Sequence, residues 1–122
     1  MSSNTSVLVT GEILLSKDLD SFSEAKVNIY LEDVSYLDAP SIIVVQQVIP
    51  DIYHEIGTDN RVKFALKSEN LNKRASYSIR VHISLHGDEQ IHPGDYTTME
   101  SYPVLTFGYP NHILVRVQKV KL

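Results

Sequence analysis

Apolar and polar residues alternate over residues 25–32 of this chain. Ala25, Val27, Ile29 and Leu31 would share one face of a strand, and Lys26, Asn28, Tyr30 and Glu32 would share the other. A period of two is the pattern of a β-strand with one buried face and one face in water. Residues 33–40 contain Asp, Ser and Pro, which favour turns, so we expect the strand to end there.

Similar patterns predict six further strands, at 7–14, 41–50, 62–66, 77–85, 96–101 and 112–120. We expect residues 1–6 to be disordered and residues 17–24 to form a loop, with Phe22 directed into the core. Gly11 lies inside the first strand and indicates a bulge or a close approach of another backbone. In the fourth strand Val62, Phe64 and Leu66 predict the buried face.

These elements predict an all-β protein without a convincing helix. About seven strands at this spacing, in a chain of 122 residues, are typical of a single-domain antiparallel β-sandwich of the immunoglobulin-like or transthyretin-like kind. A small barrel is the alternative. We take residues 1–122 as one domain, because a chain of this length can bury enough surface to fold alone.

The third strand, SIIVVQQVIP, is apolar on both faces. Such a run is usually covered on both sides, so we expect residues 41–49 to form a central strand. If the strand lies at an edge instead, it becomes a candidate for pairing with a partner protein, because neither Lys nor Glu interrupts it.

Composition excludes several classes of function. The chain has no cysteine, which rules out disulfides and thiolate sites, and its formal charge of -4 is mixed along the sequence. No basic block suits nucleic acid, and no apolar run is long enough to cross a membrane. Without a basic, apolar leader the protein is expected in the cytoplasm, or in the periplasm or envelope if an export signal preceded Met1. The oligomeric state stays open.

No motif predicts catalysis, a metal or a cofactor. His82 and His86 would lie about 13 Å apart along a strand, too far to chelate one ion. His54, His92 and His112 occupy separate segments, so we expect solvated histidines. A nucleophile elbow and phosphate-binding glycine motifs are also missing. We therefore expect a protein that is not an enzyme.

Seven tyrosines and no tryptophan are the remaining feature. Tyrosines in turns usually lie over the open ends of a sandwich and hydrogen-bond to the backbone. The alternative is that Tyr36, Tyr102, Phe107 and Tyr109 line one open end and bind a small ligand or a partner there.

Two stretches, 31–49 and 101–118, resemble the YbaY / YscW family of small bacterial lipoproteins. The first carries L-x-D-V-S followed by D-A-P, with Leu37 in place of the family's alanine, and the second carries Y-P-V-L-T. The family's signal peptide and lipobox cysteine are not seen in this sequence.

The resemblance implies a β-sandwich that acts as a pilotin or chaperone and binds an outer-membrane secretin subunit. We therefore predict a non-enzymatic module whose partner is another protein. Residues such as Asp33, Ser35 and Pro40 also fit a role in shaping the turn.

Overall fold

The computed structural model describes residues 7–36, 38–69 and 71–121. The disorder expected for residues 1–6 concerns a segment outside this part of the chain. The described residues contain no helix and nine strands: β1 Val7–Leu15, β2 Phe22–Asp33, β3 Ile42–His54, β4 Asn60–Ser68, β5 Tyr77–Ser84, β6 Tyr96–Thr97, β7 Pro103–Val104, β8 His112–Arg116 and β9 Gln118–Lys119.

The strands form two sheets. The smaller has the order β4-β1-β8, and the larger has the order β3-β2-β5-β6-β9, with β7 also paired to β5. Neighbouring strands are antiparallel, except that β1 and β8 are parallel. The predicted all-β sandwich is confirmed, with two short strands, β7 and β9, beyond the seven expected.

One hydrophobic core fills the space between the sheets. The smaller sheet contributes Val9, Ile13, Leu15, Val62, Phe64, Leu66 and Val115; the larger contributes Ala25, Val27, Ile29, Leu31, Tyr77, Ile79, Val81 and Ile83. These are alternate positions of the strands, and the buried faces predicted at 25–31 and at 62–66 are confirmed. Phe22 packs against the same cluster, although it lies in β2 rather than in a loop.

The predicted last strand divides between the two sheets. His112–Arg116 pairs with β1 in the smaller sheet, whereas Gln118–Lys119 pairs with β6 in the larger one. Val117 is buried at the crossing. The alternation that runs through residues 113–117 stops at Gln118 and Lys119, two consecutive polar residues, where the chain changes sheets.

The third strand is longer than the predicted 41–50, because β3 continues through Pro50 to His54. The register shifts here from Val27↔Ile49 to Ala25↔Ile52, and Asp51 has a φ of 60°. Such a bulge accommodates the proline, which has no N–H to offer the ladder. Conversely, β6 ends at Thr97 and is shorter than expected.

The outer face of β2 and β5 is buried, and the prediction of a wet face was wrong. Tyr30 is buried on this face because the Arg80 guanidinium lies 4.1 Å from the centre of its ring. Arg80 in turn pairs with Glu32 at 3.0 Å. Stacking and ion pairing therefore keep water from one end of the face, and burial raises the pKa of the Tyr30 hydroxyl.

The loop of residues 85–95 covers the other end of this face through Asp95. Fully buried Asp95 accepts hydrogen bonds from His82 Nε2 at 2.9 Å and from the N–H groups of Leu85 and His92 at 3.0 Å each. His82 is 1% exposed, so the prediction that the histidines are solvated was wrong for it, as it was for His54. The hydrogen-bond partner of His82 is a loop residue, and the alternation of residues along a strand does not indicate such a partner.

Replacing Asp95 with Asn should destabilise the protein by about 2 kcal/mol at pH 7, since hydrogen bonds to a charged acceptor are lost. Burial alone would raise the pKa of Asp95, but the bonds from His82, His92 and Leu85 lower it below its ordinary value of 3.8. A carboxyl whose pKa is lower in the folded than in the unfolded state stabilises the fold fully at pH values above the unfolded pKa. That stabilisation is lost as the pH falls through the folded pKa.

The difference between Asp95→Asn and the parent protein should therefore shrink below about pH 4. Urea unfolding at pH 7 and at successively lower pH measures it. A difference that stays constant with pH would contradict the role of the charged carboxylate.

Gly11 lies where two neighbours come too close for any side chain. A Cβ built on it would sit 2.5 Å from the carbonyl oxygen of Ile113 and 2.6 Å from the Phe64 ring. Phe64 is its cross-strand partner in β4, and Ile113 is its partner in β8. The prediction of a close backbone approach is confirmed, and the missing side chain lets the ring lie over β1.

Gly11→Ala should destabilise the fold by about 1–3 kcal/mol, because the backbone of β8 cannot move away without breaking its ladder. Chemical denaturation measures the change. Leu8→Ala, at a position half exposed on the same strand, serves as the control and should change stability by no more than about 0.5 kcal/mol. Equal stability of Gly11→Ala and Leu8→Ala would refute the packing argument.

Candidate protein-binding edge

The strand β3 forms an edge of the larger sheet. Among the described residues it pairs with β2 alone and ends the strand order. The expectation of a central strand was therefore wrong, and the alternative, an edge strand, is the one observed. The smaller sheet is too narrow to cover β3, because that sheet ends at its own edge strand β4 on the side of the molecule where β3 lies.

The edge exposes aliphatic side chains that central strands bury. Ile42 is 59% exposed, and Ile43, Val44 and Val48 are also exposed, whereas Val45 and Ile49 turn partly toward the core. No charged residue occurs from 42 to 49. Natural edges are usually protected by Lys, Pro or a bulge, and here Pro50 and the bulge at Asp51 protect only the second half.

A second bulge gathers the exposed residues at the start of β3. Leu31 pairs with Val45 and Glu32 with Ile43, so Val44 is an extra residue without a partner in β2. An extra residue breaks the alternation of faces. Three consecutive aliphatic side chains, at 42, 43 and 44, are consequently exposed. The run of four β-branched residues in the sequence was the only signal of this patch.

Contacts from neighbouring elements reach the middle of the edge strand. Gln47 Oε1 accepts a hydrogen bond from the Ala65 N–H of β4 at 3.1 Å, and Gln46 Nε2 donates to Glu89 at 3.4 Å. Both contacts come from glutamine side chains at one point. Within the described part of the chain, residues 42–45 are thus the accessible part of the edge. We name residues 42–45 and Val48 the β3 edge.

The structure brings two of the four predicted aromatic residues to one pocket. Phe107 and Tyr109 line a pocket of about 210 Å³ together with Val34, Tyr77 and Pro103. Phe107 and Tyr109 are exposed on a loop in which Leu105 and Phe107 have φ values of 74° and 55°. Drug-sized ligands usually occupy at least about 300 Å³. Ligand binding at this end stays a prediction.

The other two predicted aromatics lie elsewhere. Tyr36 is exposed in the link after β2 and does not line the pocket. The Tyr102 hydroxyl donates to Glu100 at 2.7 Å and accepts the Arg116 N–H at 2.9 Å. Burial is the largest cause that raises the pKa of Tyr102, and the hydrogen bond to Glu100 is the next. Tyr102 thus supports the crossing from β8 to β9, as expected of a tyrosine that bonds to backbone.

The described residues show no further chemistry at these surfaces. No group of three or more His, Asp or Glu side chains among them could hold a metal ion. Nor does that part of the chain contain a helix long and apolar enough to cross a membrane.

Comparison with known proteins agrees with this fold. The solved structure of an alternative pilotin from the type II secretion system of Vibrio cholerae superposes on the chain with a TM-score of 0.74. The two are 22% identical, and the match covers 95% of this chain and 98% of that one. No curated protein sequence matches the chain.

A family comparison matches residues 4–117, which include both sheets and the β3 edge. The matching family is described as the type III secretion system lipoprotein chaperone YscW. The match confirms the resemblance inferred from the two sequence stretches. This chain belongs to the YscW family of type III secretion system lipoprotein chaperones.

Proposed function

We propose that this protein is a non-enzymatic chaperone of the pilotin kind that binds its partner by accepting a strand at the β3 edge. The observation that carries the proposal is an uncharged edge strand with exposed Ile42, Ile43, Val44 and Val48. Monomeric domains usually protect such an edge from pairing with another chain. A strand left open in this way suits a protein that pairs with another chain.

Strand addition explains how such an edge gives both affinity and selectivity. The incoming segment forms main-chain hydrogen bonds with the open side of β3, and these bonds are independent of sequence. Alternate side chains of the segment then pack on the aliphatic patch at 42–44. Pro50 and the bulge at Asp51 limit the pairing to the first half of the strand.

The family is described as a lipoprotein chaperone of a secretion system, and on that ground we propose an outer-membrane secretin subunit as the partner. A lipoprotein chaperone of such a subunit works in the cell envelope, so we also propose an envelope location. Before assembly a subunit exposes apolar segments and unpaired strands that aggregate readily. Covering one segment with β3 would keep the subunit soluble until it assembles.

The variant Ile43→Lys/Val48→Lys tests this proposal. Both side chains are exposed, so the fold should survive, while a lysine on the edge opposes strand pairing through charge. Affinity for the purified secretin subunit of the same secretion system, measured by titration calorimetry, should fall at least tenfold. Ile56→Lys, another exposed isoleucine outside β3, is the matched control and should bind normally.

Amide hydrogen exchange identifies the mode of binding. Strand addition should slow exchange at residues 42–45 when the secretin subunit is added, because new main-chain bonds form there. Binding without protection at these amides would overturn strand addition. Equal affinity of Ile43→Lys/Val48→Lys and Ile56→Lys would place the interface elsewhere.

A further inference from the structure

The outer face of the smaller sheet is uncovered and carries a distinct pattern of side chains. Its positions are the outward residues of β1, β4 and β8, namely Leu8, Thr10, Glu12, Leu14, Arg61, Lys63, Ala65, Lys67, His112, Leu114 and Arg116. We name this surface the cationic face. It lies on the opposite side of the sheet from the core, and the β3 edge is no part of it.

Positive charge is concentrated on this face although the protein as a whole is acidic. Four cations, Arg61, Lys63, Lys67 and Arg116, oppose one carboxylate, Glu12, which gives three positive charges on a chain whose formal charge is -4. On β4 Arg61 and Lys63 lie about 7 Å apart along the strand, and Lys63 and Lys67, with Ala65 between them, lie about 13 Å apart. The rest of the molecule is correspondingly acidic.

Little of this charge is neutralised within the protein. Arg61 pairs with Glu12 at 2.8 Å. No ion pair of Lys63, Lys67 or Arg116 occurs within the described residues. The pKa of Glu12 is lowered, first by the Arg61 hydrogen bond and further by the charges of Lys63 and His112. A carboxylate on this face is thus stabilised by several cations at once.

Aliphatic side chains lie among the charges of the cationic face. Leu8 and Leu14 lie on the middle strand β1 with Thr10 and Glu12 between them, and Leu114 of β8 is opposite Glu12. Leu8 is 51% exposed and Leu114 is 39% exposed. Cations flank these side chains: Leu8 is opposite Lys67 of β4, and Leu14 is opposite Arg61 of β4 and Arg116 of β8.

We propose that the cationic face binds an acidic, amphipathic segment of a protein partner. Carboxylates of the segment pair with Lys63, Lys67 and Arg116, and its apolar side chains lie on Leu8 and Leu114. Complementary charge steers such a segment onto the face and rejects basic segments. The aliphatic side chains supply contact area that charge alone does not give.

A protein segment fits this face better than an anionic membrane does. Surfaces that lie at a bilayer usually carry aromatic anchors at the interface. None of the outward positions on the cationic face is aromatic, and the exposed aromatic residues Tyr36, Tyr53, Phe107 and Tyr109 belong to other segments. The face is also a flat sheet whose apolar side chains lie between charges.

The test uses two fluorescein-labelled peptides of 18 residues, one built from Glu and Leu at helical spacing and one with Lys in place of every Glu. Fluorescence anisotropy with the full chain should show saturable binding of the acidic peptide and none of the basic one. The variant Lys63→Gln/Lys67→Gln/Arg116→Gln should bind at least tenfold more weakly. Raising the salt concentration should weaken binding to the parent protein.

The variant Lys73→Gln/Arg74→Gln/Lys121→Gln is the matched control, because it removes three exposed cations outside the cationic face. Its affinity should stay within twofold of the parent value. Equal losses in the two triple variants would show that net charge alone governs binding and would overturn the proposal. Failure of the acidic peptide to bind the parent protein would overturn it as well.

Two further measurements locate the ligand. Amide chemical shifts on adding the acidic peptide should change in β1, β4 and β8 rather than at residues 42–45. Co-sedimentation with vesicles containing phosphatidylglycerol tests the membrane instead. Vesicle binding that requires Lys63, Lys67 and Arg116, without peptide binding, would assign the face to lipid and reject a protein segment. The Ile43→Lys/Val48→Lys variant should bind the acidic peptide normally, so this proposal and strand addition at the β3 edge can fail separately.

Discussion

Burial of β2 and β5 on both faces is the constraint on which the structure depends. One face of β2 and β5 packs on the smaller sheet, and the other is closed by Arg80 over Tyr30 and by the loop that Asp95 fastens to His82. Polar residues in the middle of a sheet are stable only if such partners satisfy them. Because side chains and a loop seal this face, the smaller sheet needs only three strands, and its own outer face stays in water.

The narrow second sheet also explains why the molecule has an open edge. A three-stranded sheet cannot extend past β4 to cover β3, and hydrogen bonds from Ala65 to Gln47 and between His54 and Asn60 bridge the two edge strands. Ordinary domains would protect this edge with charge. Here the charge lies on β4 instead, on the cationic face, while β3 stays neutral. The neutral β3 edge and the cationic face are thus neighbouring surfaces with different physical properties.

Period-two alternation predicted the long strands and the inward faces of β2 and β4, because burial between sheets imposes that period on the sequence. It failed where contacts between distant residues decide the outcome. Nothing beside His82 in the sequence indicates Asp95 as its partner, and an apolar run such as residues 42–49 has the same composition in a central strand and at an edge. For the same reason the residues of the β3 edge were not chosen individually, and the four aromatics chosen were brought together only in part.

The parallel pairing of β1 with β8 joins the two ends of the chain, with Thr10 opposite His112. Such pairing closes a very long loop, and contacts of this kind form late in folding. The smaller sheet therefore cannot be completed until β8 has been synthesised. Until residues 112–116 are available, one edge of β1 stays unpaired and exposed to pairing with the wrong strand.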